Sequence, residues 1–494
     1  MRRPVRNDYV AEVVARSREA LGEPDGFTSH VLRHTTLTQL ASMKCSRELR
    51  DRMRHPRHVG ARSVPVFSLA FGVVLMMLLA LTAEKTRAQA KAAETSASTG
   101  LEETGDDLGR NPLSASPNDV DALLLESDEQ ARGLGSFAPE TGLHKAWEGF
   151  VNRLRTDHGI DLGLNYTALY QHASESKGKH TAAGGDLDFF GSWKLWDAAG
   201  SWPGRLVFFT EWRHKFTDVA PSRLGREIGS LWGTTVGFSE QDFSLVQLYW
   251  DQGSFEDGFH YRVGKIDPAT LYDAGRYVSA NYAYQSPAFS DNLAMPLPEA
   301  GFGAVAALYP FGDSYIMAGA HDANGEKTGT GDLDRGELFT AVELGATPGY
   351  GEVGEGLYHL TLWHSDAREK ARIPSGRGFA VTAEQEIGPH GNIVPWLRYS
   401  YADGGGTRVR KLLAAGVGFE DLFVQHDDLA GIGVAWGEPR DKALRDQYVA
   451  EAFYRLHLTP YTHLTPDIQW IINPSDAPGE DSILVLSVRL RTLF

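Results

Sequence analysis

Apolar and polar residues alternate along the last stretch of the chain, residues 481–494. The apolar positions are Leu484, Leu486, Val488, Leu490 and Phe494, and the positions between them include Ser487, Arg489 and Arg491. A period of two places these two sets on opposite faces of one β-strand. The pattern therefore predicts a two-faced strand that runs to the last residue and ends on an aromatic side chain.

The same alternation recurs through the chain from Ile160 onwards. One face of successive segments carries Ile160, Leu162, Leu164 and Tyr166, then Leu206, Phe208 and Trp212, then Val246, Leu248 and Trp250, and later Phe379, Val381, Leu397 and Tyr399. The opposite face carries Glu211, Arg213, Lys215, Gln247, Tyr249, Glu384, Glu386, Trp396 and Arg398. Clusters of Gly, Asp, Asn and Pro separate the segments, as turns between strands require.

Repeated alternating segments of about ten residues are the signature of a transmembrane β-barrel. The stretch from Thr156 to Phe494 has room for about 16 strands at the usual repeat length, and barrels of this size enclose water. A terminal aromatic residue in register with the apolar face is typical of the closing strand of such a barrel. We predict an all-β fold, a transmembrane antiparallel β-barrel of about 16 strands with an N-terminal periplasmic helix. A soluble all-β protein with a buried core is the competing interpretation.

The residues before the barrel divide into three parts. Residues 1–90 read as a basic extension plus a signal peptide, with an apolar run from Val64 to Leu81 and cleavage after Ala90. An uncleaved membrane anchor, or a later start at Met43 or Met53, would produce similar patterns. Residues 91–141 are predicted to be a flexible acidic periplasmic segment. Residues 142–157 are predicted to be an amphipathic helix, acting as a lid or plug or packing on the barrel rim, and 158–494 are the predicted barrel.

Composition and charge narrow the class of partner. The chain has 494 residues, a net charge of -16 and a mean hydropathy of -0.30. No basic stripe interleaved with aromatic residues is present, so nucleic acid is not an expected partner. Cys45 is the single cysteine, which excludes an intrachain disulfide framework. After residue 90, no apolar run approaches the length of a membrane-spanning helix.

Two longer stretches resemble a known family. Residues 261–302 contain the strand end Val-Gly-Lys-x-Asp at Val263 to Asp267, and residues 451–474 contain Leu-Thr-Pro-Asp-Ile-Gln-x-x-x-Asn-Pro from Leu464. Together with the terminal Phe494, these stretches resemble the OprB-type carbohydrate-selective outer-membrane porins, over about residues 143–494. The resemblance implies a sixteen-stranded barrel that passes monosaccharides and short sugars by diffusion. The long basic N-terminus, the acidic 91–140 segment and Thr492 depart from the family pattern.

Candidate pore-lining and constriction residues come from the polar face and from one long loop. They are Glu211, Arg213, Lys215, Arg262, Arg276, Tyr282, Tyr284, Glu384, Trp396 and Arg398. Aromatic faces can cover the C–H faces of a sugar ring, and charged groups can bond its hydroxyls. The competing interpretation is that the charges only keep the wall solvated and pair across strands. The loop from Asp267 to Gly301 is rich in Tyr and Pro and would either fold into the pore or lie over its outer mouth.

The predicted function is passive, carbohydrate-selective diffusion through the Gram-negative outer membrane, and the alternative is a general or anion-leaning porin of the same fold. An outer-membrane lipase or deacylase and a secreted lectin are the competing classes, but no nucleophile–base pair can be assembled, so the chain is not expected to be an enzyme. The Gly301–Ala306 match to a dinucleotide motif lacks its structural context, so no cofactor is predicted. No metal site is predicted either, because the acidic loop around Asp322 lacks calcium-binding spacing. Expected partners are small neutral sugars, outer-membrane lipid, the barrel-assembly machinery through Phe494, and further copies of the chain in a homotrimer.

Overall fold

A computed structural model gives the architecture of most of the chain after residue 110. It describes residues 111–128, 142–198, 201–311, 313–349, 354–388, 392–422 and 428–494. The predicted basic extension, signal peptide, start site and cleavage site lie outside these residues.

Sixteen strands form a closed antiparallel barrel in which each strand pairs with its neighbours in the sequence. The strands are β1 (Ile160–Ala173), β2 (Thr181–Ala198), β3 (Ser201–Lys215), β4 (Gln241–Ser254), β5 (Phe259–Ile266), β6 (Gly301–Phe311), β7 (Ser314–Asp322), β8 (Leu338–Ala346), β9 (Gly356–Ser365), β10 (Gly376–Gln385), β11 (Ile393–Gly404), β12 (Val409–Glu420), β13 (Leu429–Pro439), β14 (Gln447–Thr459), β15 (Thr462–Ile472) and β16 (Ser482–Leu493). The last strand pairs with the first, from Asn165 opposite Leu493 to Ala173 opposite Val485, and closes the barrel. The prediction of an all-β antiparallel barrel of about 16 strands is confirmed.

The two faces of the strands are reversed relative to a soluble protein. On β16, Leu484, Leu486, Val488 and Leu490 are 36–48% exposed, whereas Arg489 and Arg491 are only 1–2% exposed. The apolar set thus points outwards and the arginines point into the barrel. Large aromatic residues are also exposed outwards on β2, β3 and β4, including Trp193, Trp212 and Phe243. An apolar exterior around a polar interior fits a barrel whose outer solvent is lipid.

One residue of the predicted outward face is turned inwards by a β-bulge. In the β3–β4 pairing, Phe209 lies opposite Gln247, but the next residue, Thr210, lies opposite Leu245. Val246 is the extra residue, and it is buried at 2% exposure while Leu245 is exposed. The prediction that Val246 shares the outward face of Leu248 is therefore wrong, because an inserted residue shifts the alternation by one position.

The turns at one end of the barrel are short and the loops at the other end are longer, which identifies the periplasmic and extracellular ends. The longer connections carry local helices, namely α3 (Pro221–Ile228) between β3 and β4, and α4 (Pro287–Ser290) between β5 and β6. Short 3₁₀ turns occur at Pro268–Thr270 and Leu333–Arg335.

The helix α2 (Gly142–His158) matches the predicted amphipathic helix and packs on the periplasmic rim. The His144 ring stacks on Tyr461, with centroids 4.5 Å apart, and on Phe494, with centroids 5.0 Å apart. The Tyr461 hydroxyl also donates a 2.7 Å hydrogen bond to Glu148. These contacts agree with the rim-packing interpretation of this helix. Among the helices in the described part of the chain, none is long and apolar enough to cross a membrane.

Residues 111–128 lie inside the barrel and contain the helix α1 (Val120–Asp128). Leu113, Val120 and Leu123 are buried and belong to the same hydrophobic cluster as residues of the barrel wall. The expectation that the whole of 91–141 is flexible is therefore corrected for residues 111–128.

Candidate functional site at the pore constriction

The constriction loop, residues 267–300, joins β5 to β6 and folds into the barrel. Asp267 caps its first turn, because its side chain accepts a hydrogen bond from the amide of Ala269. Tyr272, Tyr277 and Phe289 of the loop are buried. Of the two placements considered for this loop, the structure has the inward one.

Asp273 is the first point at which the loop is held to the wall. Its carboxylate lies 2.8 Å from Nε of Arg398 on β11, and it accepts hydrogen bonds from Thr382 on β10 at 2.6 Å and from His359 on β9 at 3.2 Å. Burial acts to raise the pKa of Asp273, but the Arg398 guanidinium and the bonds from His359 and Thr382 hold it below its ordinary value. Asp273 is therefore an ionised anchor.

Arg398 also binds the loop backbone directly. It donates hydrogen bonds to the carbonyl oxygens of Phe289 at 3.3 Å, Asp291 at 2.9 Å and Asp273 at 3.3 Å. Its side chain is 3% exposed. One guanidinium thus holds two separate parts of the loop, which suits the planar, multiply donating geometry of arginine.

Strands β14 and β16 hold the middle of the loop. Glu451 on β14 accepts hydrogen bonds from the amides of Gln285 and Ser286, the latter at 2.9 Å. Arg489 on β16 donates to the carbonyl oxygens of Ala280 and Ala283. The loop is therefore held by polar and charged side chains on five strands, β9, β10, β11, β14 and β16.

Aromatic contacts also hold the constriction loop against the barrel wall. The Tyr284 ring lies 4.8 Å from Phe453 and 5.7 Å from Trp396, measured between ring centroids. Phe289 contacts the same tryptophan at 5.8 Å. Pairs at these distances and tilted angles are favourable aromatic contacts.

A cavity of about 340 Å³ remains between the constriction loop and the wall formed by β2, β3 and β4. Wall residues that line it include Asp188, Glu211, Arg213, Val246 and Gln247, and loop residues that line it include Asp267, Asn281, Tyr282, Asp291 and Asn292. Lys327, Arg491 and the lumenal residues Asn118 and Leu123 also line it. The volume falls in the range of small-molecule sites, roughly 300–1,000 Å³.

Arg213 organises the charges on the wall side of this cavity. Its guanidinium pairs with Asp186 at 3.2 Å and also with Glu211. Lys327 lies 3.7 Å from Glu211. Donors and acceptors of both signs therefore face one small space.

Asp186, Asp188 and Glu211 bring carboxylate oxygens within 4.8 Å of one another, a grouping that could hold a cation. Because the Arg213 guanidinium already pairs with two of these carboxylates, we assign no metal to them.

The structure places the ten predicted site residues in different parts of the pore. Glu211, Arg213 and Tyr282 line the cavity. Lys215 is exposed at the extracellular end of β3, where it pairs with Glu240 at 2.8 Å. Arg276 lies on the constriction loop and pairs with Glu386 near the periplasmic end of β10.

The other five predicted residues are buried. Tyr284, Trp396 and Arg398 pack against or bind the loop, and Glu384 accepts a 3.2 Å hydrogen bond from the amide of Arg276. Arg262 is covered by residues 111–128 and lies 2.6 Å from Asp119. None of these five side chains lines the cavity; they hold the constriction loop or residues 111–128 instead.

Sequence reasoning missed several cavity residues. Asp188 lies two residues after Asp186 on β2 and shares its face, so the two-residue period could have placed it in the lumen. Gln247 appeared on the polar face but carried no charge to single it out. Lys327 lies in the β7–β8 loop, and no local pattern indicates that it reaches the cavity.

Comparisons with known proteins agree with this architecture. A family model described as "Carbohydrate-selective porin, OprB family" matches residues 223–494. Porin AaxA of Chlamydia pneumoniae is 26% identical over 269 residues, a match that covers 51% of this chain and 59% of that porin. The chain thus spans less than two thirds of the length of this relative. The high-pH structure of Pseudomonas putida OprB has a TM-score of 0.60 and 16% identity, covering 70% of this chain and 97% of that chain. At this identity, the likeness concerns the fold.

Proposed function

This chain belongs to the OprB family of carbohydrate-selective porins, and on that premise we propose that it passes mono- and short oligosaccharides by passive, selective diffusion. Its family and its sixteen-stranded barrel make it a porin of the Gram-negative outer membrane. The same findings imply a channel rather than an enzyme. The sugar preference is the part that we propose.

The cavity beside the constriction loop is the observation that carries the proposal. A neutral sugar offers many hydroxyl groups that both donate and accept hydrogen bonds. The cavity offers acceptors at Asp188 and Glu211, donors at Arg213, and both at Gln247. A lining of this kind fits a polyhydroxylated solute better than a solute of single charge.

Tyr282 supplies an aromatic surface at the same cavity. The guanidinium carbon of Arg455 lies 3.8 Å from the centre of its ring, and Arg455 donates a 3.1 Å hydrogen bond to its hydroxyl. These contacts orient the ring by a cation–π interaction. A fixed ring beside charged hydrogen-bonding groups would discriminate between sugars by their shape. It would bind each sugar weakly enough to release it.

An anion-leaning porin is the second candidate, and one observation favours it. Arg455, Arg489 and Arg491 lie on the inner wall of β14 and β16. Arg489 binds the constriction loop, however, and Arg491 pairs with Glu126 at 2.6 Å. Because these guanidinium groups already have partners, we place the sugar-selective function first.

Two partner proposals accompany the sugar preference. We infer that the barrel-assembly machinery recognises the last strand through Phe494, the terminal aromatic residue of the outward-facing set. We also propose a homotrimer, which crosslinking of the protein in native outer membranes would test. Monomers alone after crosslinking would exclude the trimer.

Liposome swelling tests the sugar preference. Liposomes containing the purified protein should admit a pentose or hexose several times faster than a zwitterionic amino acid of similar mass, because only the sugar matches the hydroxyl-binding groups of the cavity. Protein-free liposomes give the background rate. Equal rates would indicate general diffusion, and faster entry of a sugar acid than of its parent sugar would indicate the anion-leaning alternative.

A further inference from the structure

Residues 111–128, named here the lumen segment, occupy the periplasmic half of the pore below the constriction loop. They contact wall residues near the short-turn ends of the strands, including Arg205 on β3, Arg262 on β5 and Tyr309 on β6. At the other side, the Asn118 amide donates a 3.0 Å hydrogen bond to the carbonyl of Val278 in the constriction loop. The segment therefore narrows the path of any solute that has passed the loop.

Two buried ion pairs seat the segment on the wall. Asp119 lies 2.6 Å from Arg262, and both side chains are almost fully buried. Asp121 accepts two hydrogen bonds from Arg205, at 2.5 and 2.6 Å. A bidentate arginine–carboxylate pair fixes orientation as well as distance.

The barrel wall carries positive charge where these two carboxylates bind. Arg205 and Arg262 share one wall carboxylate, Asp251, at 3.3 and 2.6 Å. The wall at this place therefore carries two guanidinium groups and one carboxylate, and Asp121 and Asp119 each add a carboxylate that pairs with one of the arginines. Buried charges are costly without partners, so the seat is specific for an acidic segment.

The end of the segment has a third ionic contact, between Glu126 and Arg491 on β16 at 2.6 Å. All of these links to the barrel involve side chains. Among the described residues, the backbone hydrogen bonds of the segment outside its helix are internal, such as Ser114 to Asn111 and Asp119 to Ser116. The segment can therefore leave the lumen without breaking any described strand pairing of the barrel.

We propose that the lumen segment is a displaceable plug that sets the conductance and the charge selectivity of the periplasmic half of the pore. With the plug seated, Asp119, Asp121 and Glu126 neutralise three wall arginines. With the plug displaced, Arg205, Arg262 and Arg491 face open water and attract anions. This inference rests on the channel function and does not depend on which solute the cavity prefers.

The test compares channels formed in planar bilayers by the full chain and by its Asp119→Asn/Asp121→Asn variant. The substitutions keep side-chain size and remove the negative charges of the two buried ion pairs with Arg262 and Arg205. We expect roughly a doubling of single-channel conductance and a reversal potential shifted towards anion selectivity, since the path is wider and its arginines are uncovered. Asp218→Asn is the matched control, because Asp218 is an exposed acid in an extracellular loop that pairs with Lys179.

A tether makes the experiment reversible within one folded channel. In a Cys45→Ser background, the charge-removed variant would also carry Asn118→Cys and Val278→Cys, joined by a short cleavable thiol crosslinker. Low conductance while crosslinked, and high conductance after cleavage by a reductant, is the expected result. If the charge-removed variant gives no channels, deletion of residues 111–128 replaces it.

Conductance and selectivity equal to those of the unmodified chain, in the charge-removed variant or in the deletion, would overturn the proposal. So would a crosslinked channel that conducts as well as the cleaved one. Because Asn118 and Leu123 of the segment also line the cavity, sugar block is recorded on the unmodified channel with the plug seated, where it reports separately on the proposed sugar preference.

Discussion

Replacing Arg398 by alanine should release the constriction loop and give a wider, less selective channel. Arg398 holds Asp273 through an ion pair and three loop carbonyl oxygens through hydrogen bonds. Its removal leaves the Asp273 carboxylate buried without its cation, a change that costs about 3–5 kcal/mol in comparable buried pairs. Single-channel recording should show higher and noisier conductance, with weaker block by sugar.

Two further variants test whether the effect comes from loss of the Arg398–Asp273 ion pair. Arg410→Ala removes an arginine from the exposed extracellular end of the neighbouring strand β12, where Arg410 pairs with Glu438, and it should leave conductance unchanged. Arg398→Met combined with Asp273→Asn removes both charges, which is often far less costly than removing one, so it should recover part of the closed-loop behaviour. An Arg398→Ala channel indistinguishable from the unmodified one would contradict the anchoring role.

Arg213→Ala should have the largest effect on sugar binding. Arg213 is a cationic donor on the β3 wall of the cavity and pairs with Asp186 and Glu211. Hydrogen bonds to charged groups contribute about 1.5–3 kcal/mol, so the apparent Kd for sugar block should rise roughly tenfold to 150-fold. Loss of the Arg213 positive charge should also make the channel more cation-selective.

Lys215→Ala is the control for that experiment. Lys215 lies on the same strand as Arg213 but is exposed at the rim and pairs with Glu240. Its removal should leave sugar block unchanged. Equal block constants for the unmodified chain and Arg213→Ala would exclude Arg213 from the sugar site.

The barrel could be predicted from the sequence because lipid and water impose a strict period of two. A strand such as β16 must present leucine to lipid and arginine to the lumen, so the sequence alone predicts which residues lie on each face. The same rule failed at Val246, because a β-bulge is set by the pairing with β3 rather than by local composition.

The placement of the constriction loop depends on partners far away in the chain. Its aromatic residues and prolines are compatible with either side of the barrel mouth. What holds it inwards is the set of contacts from Arg398, Glu451 and Arg489 on strands distant in sequence. Such pairings cannot be read from local periodicity.

The position of the lumen segment also could not be predicted from the sequence. Its acidic composition is typical of disorder, since isolated charges cannot be buried cheaply. Arg205 and Arg262 make the burial of Asp121 and Asp119 possible by supplying partners from the wall. No pattern within residues 111–128 indicates those partners.

Single-channel conductance of the purified protein, recorded while a neutral sugar is titrated, tests the central claim most directly. We predict stable open channels whose current falls with added glucose or a disaccharide to a saturating level, because the sugar occupies the cavity beside the constriction loop. Stable channels whose current does not respond to any neutral sugar, beyond the change in solution viscosity, would contradict a saccharide site in this pore.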